Sequence, residues 1–221
     1  MKQSKLDLKK KNIREFFSTF KPKREEDRKE SKDKILTEGL TYVQMSLPVE
    51  EITKDFEDSL KEKIDRNIIN AKLREAKTKD DLESLMNVYN KSWLTSNTPF
   101  RPITTKSLKI ILDDPDTTLL IAKVYGQDSG FVLLDFEGEN KEYGVIAGLG
   151  IVPKFQRRGL GTILGMAAWS FFKEKKNIKE LRCEVYEDNK VSYAFINGLG
   201  FKEFGKKTYK KEDFLTEKEI E

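Results

Sequence analysis

Three stretches of strand pattern follow one another with no room for a helix between them: Thr117 to Gly126 (TTLLIAKVYG), Ser129 to Gly138 (SGFVLLDFEG) and Glu142 to Pro153 (EYGVIAGLGIVP). Their joints carry Gly, Asp and Asn, residues that adopt tight-turn conformations, so the three strands are expected to run as an antiparallel meander. Around the meander, strands and helices alternate with short connections. Ala71 to Lys77 reads as a strand, and Thr78, followed by Asp80 and Asp81, opens a helix through DDLESLMNVYNKSW with Leu82, Leu85, Met86, Val88 and Tyr89 in one stripe. A loop at TSNTPFRP and a short helix at TKSLKIIL lead into the meander. After it come the helix TILGMAAWSFFKEKK, the strand ELRCEVYED, the helix NKVSYAFINGLG stopped by Gly200, and a last strand FKEFGKKTYK. This order predicts one mixed α/β domain over residues 71–221.

Two segments precede that domain. Residues 35–70 read as a strand-helix extension, an add-on to the main domain: LTYVQMSLP alternates as a strand ended by Pro48, and Val49, Ile52, Phe56, Leu60 and Ile64 recur at helical intervals through VEEITKDFEDSLKEKIDRNII. Residues 1–34 carry 13 basic and 7 acidic side chains, a net of +6, against 29 and 31 in the remainder. Ile13, Phe16, Phe17 and Phe20 lie at helical spacing there, before Pro22 and a run of charges. This is a basic arm and linker, read either as a docking segment or as a solvated one.

Composition removes whole classes of chemistry. The 221 residues include no histidine, which excludes a Ser-His-Asp or Cys-His system, a His-ligated metal and a histidine pH switch. A single cysteine excludes an internal disulfide framework and an all-thiolate metal centre, and fits a reducing, cytoplasmic setting. No metal is expected. Nothing approaches the roughly 20 apolar residues of a membrane span, and the first residues lack the apolar centre of an export signal. A net charge of +4 is too small to argue for nucleic acid as a partner of the whole protein.

Chemistry is concentrated in GLGIVPKFQRRGLGTILG, where a strand ends at Pro153 and a glycine-rich, doubly basic loop opens an apolar helix. A helix start exposes unpaired N–H groups and the positive end of the dipole, and Gly159 and Gly161 leave an anion free to approach them. Arg157 and Arg158 add charge at the rim. The glycine spacing is not G-x-G-x-x-G and no G-K-S/T closes the loop, which excludes the two common nucleotide motifs.

Gln156-Arg157-Arg158-Gly159-Leu160-Gly161 resembles the Q/R-x-x-G-x-G/A signature of the GNAT N-acetyltransferases. Val152-Pro153 upstream resembles the V-x-P that ends the family's fourth strand, and Asn189, Ser192 and Leu199-Gly200-Phe201 fall at the spacing of its N-x-x-A…L-G-F helix. The resemblance covers residues 71–210 and implies a mostly antiparallel central sheet flanked by helices. It also implies direct acetyl transfer from acetyl-CoA to an amine in a ternary complex, with the cosubstrate wedged between two splayed strands. Gln156, Arg157, Arg158, Gly159, Leu160, Gly161 and Thr162 then hold the diphosphate, Ile151 and Val152 pair with the pantetheine arm, and Asn189 helps to hold the cosubstrate. A bulge is expected near Gly148 and Gly150, freeing an N–H to polarise the thioester.

An alkyl ammonium with a pKa near 10 must lose its proton before it can attack. With no histidine present a carboxylate is the natural acceptor, and Glu184 stands where the ribosomal-protein N-terminal acetyltransferases carry a fifth-strand glutamate. Glu142 and Tyr143 are reserves, and Val145 occupies the position of the fourth-strand glutamate of other relatives. Where many members place a tyrosine to protonate the leaving thiolate, this chain has Ile196. Tyr193, nearly one helical turn earlier, is the substitute. Trp93, Phe100 and Arg101 fall in the connection that shapes the acceptor pocket of relatives. The acceptor stays open between a small-molecule amine and a protein or peptide amine, as does a homodimer. The rival function is a non-catalytic acyl-CoA sensor of the same fold.

Overall fold

The computed structural model describes residues 39–65, 69–93, 103, 105–175 and 177–210. Seven strands form one sheet: β1 (Leu40–Pro48), β2 (Ala71–Glu75), β3 (Thr118–Val124), β4 (Gln127–Glu137), β5 (Tyr143–Ile151), β6 (Glu180–Tyr186) and β7 (Lys202–Tyr209). Among the described residues five helices accompany them: α1 (Lys54–Asp65), α2 (Lys79–Ser92), α3 (Thr105–Leu112), α4 (Leu160–Lys173) and α5 (Lys190–Gly198). The strand order is β2-β3-β4-β5-β6-β1-β7, and every pairing is antiparallel except β5 with β6. The mixed, mostly antiparallel sheet expected from the sequence is therefore present.

Helices cover both faces of β4, which explains its long unbroken run of buried residues. Phe131 and Leu133 point to one face, where they meet Leu85, Val88 and Tyr89 of α2 with Leu108 and Ile111 of α3. Val132 and Leu134 point to the other, against Leu164, Ala168, Trp169 and Phe172 of α4. Helix α2 begins where the sequence indicates: the Thr78 side chain accepts from the Asp81 N–H and Asp81 caps Thr78 in return. The expected helix over residues 49–69 divides. Val49–Glu51 forms a 3-10 turn, and α1 starts at Lys54 because the Thr53 hydroxyl accepts from the Phe56 N–H.

The strand of the 35–70 segment does not lie outside the sheet. It is inserted between β6 and β7, with Gln44 opposite Glu184 on one side and Gly205 on the other. Its inward residues Val43, Met45 and Leu47 belong to the same core as α4 and β6. The basic arm over residues 1–34 lies outside the described residues.

Candidate active site

Parallel pairing between β5 and β6 runs only from Tyr143 with Glu180 to Ile146 with Cys183. Beyond it the strands part, and the cause is visible in β5. Leu133 pairs with Gly148 and Leu134 with Ile146, which leaves Ala147 as an extra residue in the strand. Such a bulge bends the strand and releases its backbone from the ladder. The sequence reading placed this bulge near Gly148 and Gly150; Ala147 is the residue that carries it. Gly150 serves a different need, since a Cβ there would lie 2.4 Å from Phe131 Cε1.

A cavity of about 260 Å³ fills the splay, lined by Ala147 to Leu149 of β5, Cys183 to Tyr186 of β6, and Asn189, Ser192 and Ile196 of α5 or its cap. Trp93, from the end of α2, also lines it; Phe100 and Arg101 lie outside the described residues. Glu184 is half-buried in this wall. Its carboxylate accepts from Gln44 Nε2 at 3.1 Å, and the Tyr209 hydroxyl lies 2.9 Å from each oxygen. The alternation along β6 is as expected: Leu181, Cys183 and Val185 are buried in the core, with Arg182, Glu184 and Tyr186 on the other face. Arg182 pairs with Glu180 and stacks 3.4 Å from the centre of the Tyr143 ring. Burial, reinforced by Asp188, pushes the Tyr186 phenol up to about 12, so it stays neutral at physiological pH. Burial also raises the Cys183 thiol far above its ordinary value, which keeps it an unreactive core group.

The glycine-rich loop lies at the far end of β5. Pro153–Phe155 makes a 3-10 turn, Arg157 and Gly159 take left-handed φ angles of 59° and 81°, and α4 begins at Leu160 with Gly159 as its N-cap. The first hydrogen bond into the helix is Ile163 N–H to the Gly159 carbonyl, so the amides of Leu160, Gly161 and Thr162 have no intrahelical acceptor. Arg157 and Arg158 are exposed beside them. Gly161 is packed against Phe195, where a Cβ would approach to 2.9 Å. This arrangement fits an anionic diphosphate: open amides, the positive end of a helix dipole and two guanidinium groups.

Other expected residues have different placements. Val152 N–H donates to the Ser129 carbonyl at 2.9 Å, so it faces β4 rather than the splay. Strand alternation then turns the amide and carbonyl of Ile151 toward the splay, and the Ile151 carbonyl accepts Gln156 Nε2 at 2.9 Å. The Gln156 side chain thus ties the loop to the strand. Asn189 caps α5 by accepting from Ser192 N–H at 3.0 Å, with its residue at the cavity wall. Tyr193 is not brought to the cavity; its hydroxyl donates to Glu203 of β7 at 3.3 Å, while Ile196 occupies the wall. The sequence reading missed Tyr42, Gln44 and Tyr209, which come from strands distant in the chain. Among the described residues no group of acidic and cysteine side chains could hold a metal, and no helix is long and apolar enough to cross a membrane.

No curated protein sequence matches the chain. Among solved structures, AAC(6')-Iy in complex with a bisubstrate analogue, CoA-S-monomethyl-acetylneamine, is 19% identical with a TM-score of 0.52, the match covering 64% of this chain and 97% of that one. The PaiA N-acetyltransferase of Thermoplasma acidophilum in complex with coenzyme A is 21% identical, TM-score 0.51, covering 64% and 100%. The ribosomal-protein-S18-alanine N-acetyltransferase of Escherichia coli is 18% identical, TM-score 0.50, covering 62% and 80%. At these identities the likeness is one of fold. The model of the acetyltransferase (GNAT) family matches residues 82–201, more than half of the sequence and all of the splay and loop, and the chain belongs to that family.

Proposed function

We propose that the chain is an acetyl-CoA-dependent N-acetyltransferase that passes the acetyl group directly to an amine held in the same cavity. The observation that carries this reading is the carboxylate of Glu184 in the wall of the cavity where β5 and β6 part. Arg157, Arg158 and the amides of Leu160, Gly161 and Thr162 receive the diphosphate, and the Gln156 tie keeps the loop in shape for it. Ile151 offers its backbone to the pantetheine arm, and the backbone released around Ala147 supplies a donor for the thioester oxygen. Glu184 takes the proton from the acceptor ammonium, directly or through water, and the freed amine attacks the carbonyl carbon. As the carbon–sulfur bond breaks, the nitrogen sheds its second proton, which passes through water or the Ser192 hydroxyl at the cavity wall to the departing thiolate, so that amide and free thiol form together.

The test has two arms. Calorimetric titration of acetyl-CoA and CoA into the full chain is compared with Arg157→Glu/Arg158→Glu, whose side chains are exposed and outside the core. Thiol release from acetyl-CoA is then followed with spermidine, kanamycin, a lysine-containing peptide and a peptide with a free N-terminal alanine. Binding that weakens in the variant, together with release on one of these amines, is the expected result. The amine that responds separates small-molecule from peptide acceptors.

One observation favours a second reading, a sensor that binds acyl-CoA without turnover: α5 presents Ile196 to the cavity and directs the Tyr193 hydroxyl to Glu203. Binding with no thiol release on any amine is its signature.

A further inference from the structure

Strand β1 lies outside the family-matched segment, yet it supplies two side chains to the cavity wall, Tyr42 and Gln44. Gln44 sits directly across the ladder from Glu184 and donates to its Oε1 at 3.1 Å. The opposite neighbour of Gln44 is Gly205, where a Cβ would come within 3.3 Å of Gln44 Oε1. The β1–β7 register shifts between Gln44 and Met45, next to this point. The glycine and the bulge both lie on the β7 side of β1, and together they leave the Gln44 amide room to lie toward the carboxylate on β6. Tyr42 extends the same wall: its ring centre is 5.7 Å from those of both Tyr186 and Tyr209.

We propose that β1 is a working part of the active site, with Gln44 as a positioning residue that orients the Glu184 carboxylate and Tyr42 as part of the acceptor wall. The role rests on the reading of Glu184 as the proton acceptor. A carboxylate on a strand can rotate about its side-chain bonds, and donors from two neighbouring strands, Gln44 of β1 and Tyr209 of β7, restrict it to one orientation. Without the N-terminal strand the base loses one of these donors and the cavity loses part of its aromatic wall.

The test uses Gln44→Met, which keeps the length of the side chain and removes the donor, in the full chain and in a Glu184→Gln background. Thiol release is measured at saturation with the most active amine of the panel above and with water alone as acceptor, alongside thermal unfolding of each variant. Gln44→Met is expected to lower kcat about 10- to 100-fold with the KM for acetyl-CoA unchanged, and to cause no further loss in the Glu184→Gln background. Gln44→Asn, which keeps a shorter donor, should recover part of the rate. An equal loss in both backgrounds, or a loss that follows a fall in the unfolding midpoint, would make Gln44 a packing residue and overturn the proposal. Glu184→Gln with the parent rate overturns the base assignment and the positioning role together; an inactive Glu184→Gln beside an unaffected Gln44→Met overturns the positioning role alone.

Discussion

The Tyr209 hydroxyl lies 2.9 Å from both carboxylate oxygens of Glu184, joining the last strand of the fold to the wall of the cavity. Tyr209 is buried, and its ring packs edge-on against Tyr42, so the hydroxyl is held in place by the sheet itself. Tyr209→Phe keeps the ring and removes the donor. We expect kcat to fall about tenfold, in line with a charge-assisted hydrogen bond of roughly 1.5–3 kcal/mol, while calorimetric affinity for CoA is unchanged. Glu184→Gln should cost more, on the order of 100- to 10,000-fold in kcat, because it removes the proposed proton acceptor.

The loop should bind CoA by electrostatics that salt can screen. Arg158 is exposed at the start of α4, and Arg158→Glu replaces attraction by repulsion without touching the core. CoA affinity is expected to drop about tenfold or more at low salt, and the gap between parent and variant should narrow as ionic strength rises. Titrations at two salt concentrations check this.

Gly150 is where β5 passes under Phe131 and Ser92. An added methyl would lie 2.4 Å from Phe131 Cε1 and 3.0 Å from Ser92 Cβ, in a layer covered by α2. Gly150→Ala should destabilise the fold by about 1–3 kcal/mol through overpacking. Denaturant unfolding measures it.

Acid stability should trace to a charge cluster beneath α2. Arg74 of β2 donates to Asp128 through both terminal nitrogens, at 2.7 and 2.8 Å, and reaches Asp81 at 3.0 Å; Ser84 also donates to Asp128. The backbone N–H of Lys77, then the amide and hydroxyl of Thr78, hold the Asp81 carboxyl well below the usual carboxylate range. Hydrogen bonding from Arg74 lowers Asp128 in the same direction. A carboxyl lowered by folding adds stability above its unfolded value, near 4, and loses it as pH falls through the folded value. Unfolding free energy should therefore be steady near neutrality and decline below about pH 4, with a shallower decline in Asp81→Asn. At pH 7, Arg74→Met should cost about 3 kcal/mol, because it leaves two largely buried carboxylates without their cation.

The parts of the site that were legible in the sequence are the local ones. The Gln156 to Thr162 loop could be read because its geometry is set locally, by two glycines, a helix start and two adjacent arginines. Glu184 was legible through strand alternation, which sets its face. Tyr193 was not, because the direction of a side chain on a short helix depends on which face packs. Buried Ile196 and Leu199 turn α5 so that the Tyr193 hydroxyl meets Glu203. Val152 was expected to serve the cosubstrate, and its amide instead belongs to β4, a fact of ladder register that the V-x-P pattern does not encode.

Periodicity, turn residues and caps act over a few positions, so the sequence by itself determined the meander, the helix start at Thr78, the stop at Gly200 and the glycine-flanked helix start at Leu160. Tertiary structure alone decided that β1 enters the sheet between β6 and β7, and so that Gln44 meets Glu184 across 140 residues of chain. Strand order depends on which apolar faces can share one core. Val43, Met45 and Leu47 gain that burial by sitting between β6 and β7, and the polar side chains on the opposite face of β1 are carried to the cavity wall as a result.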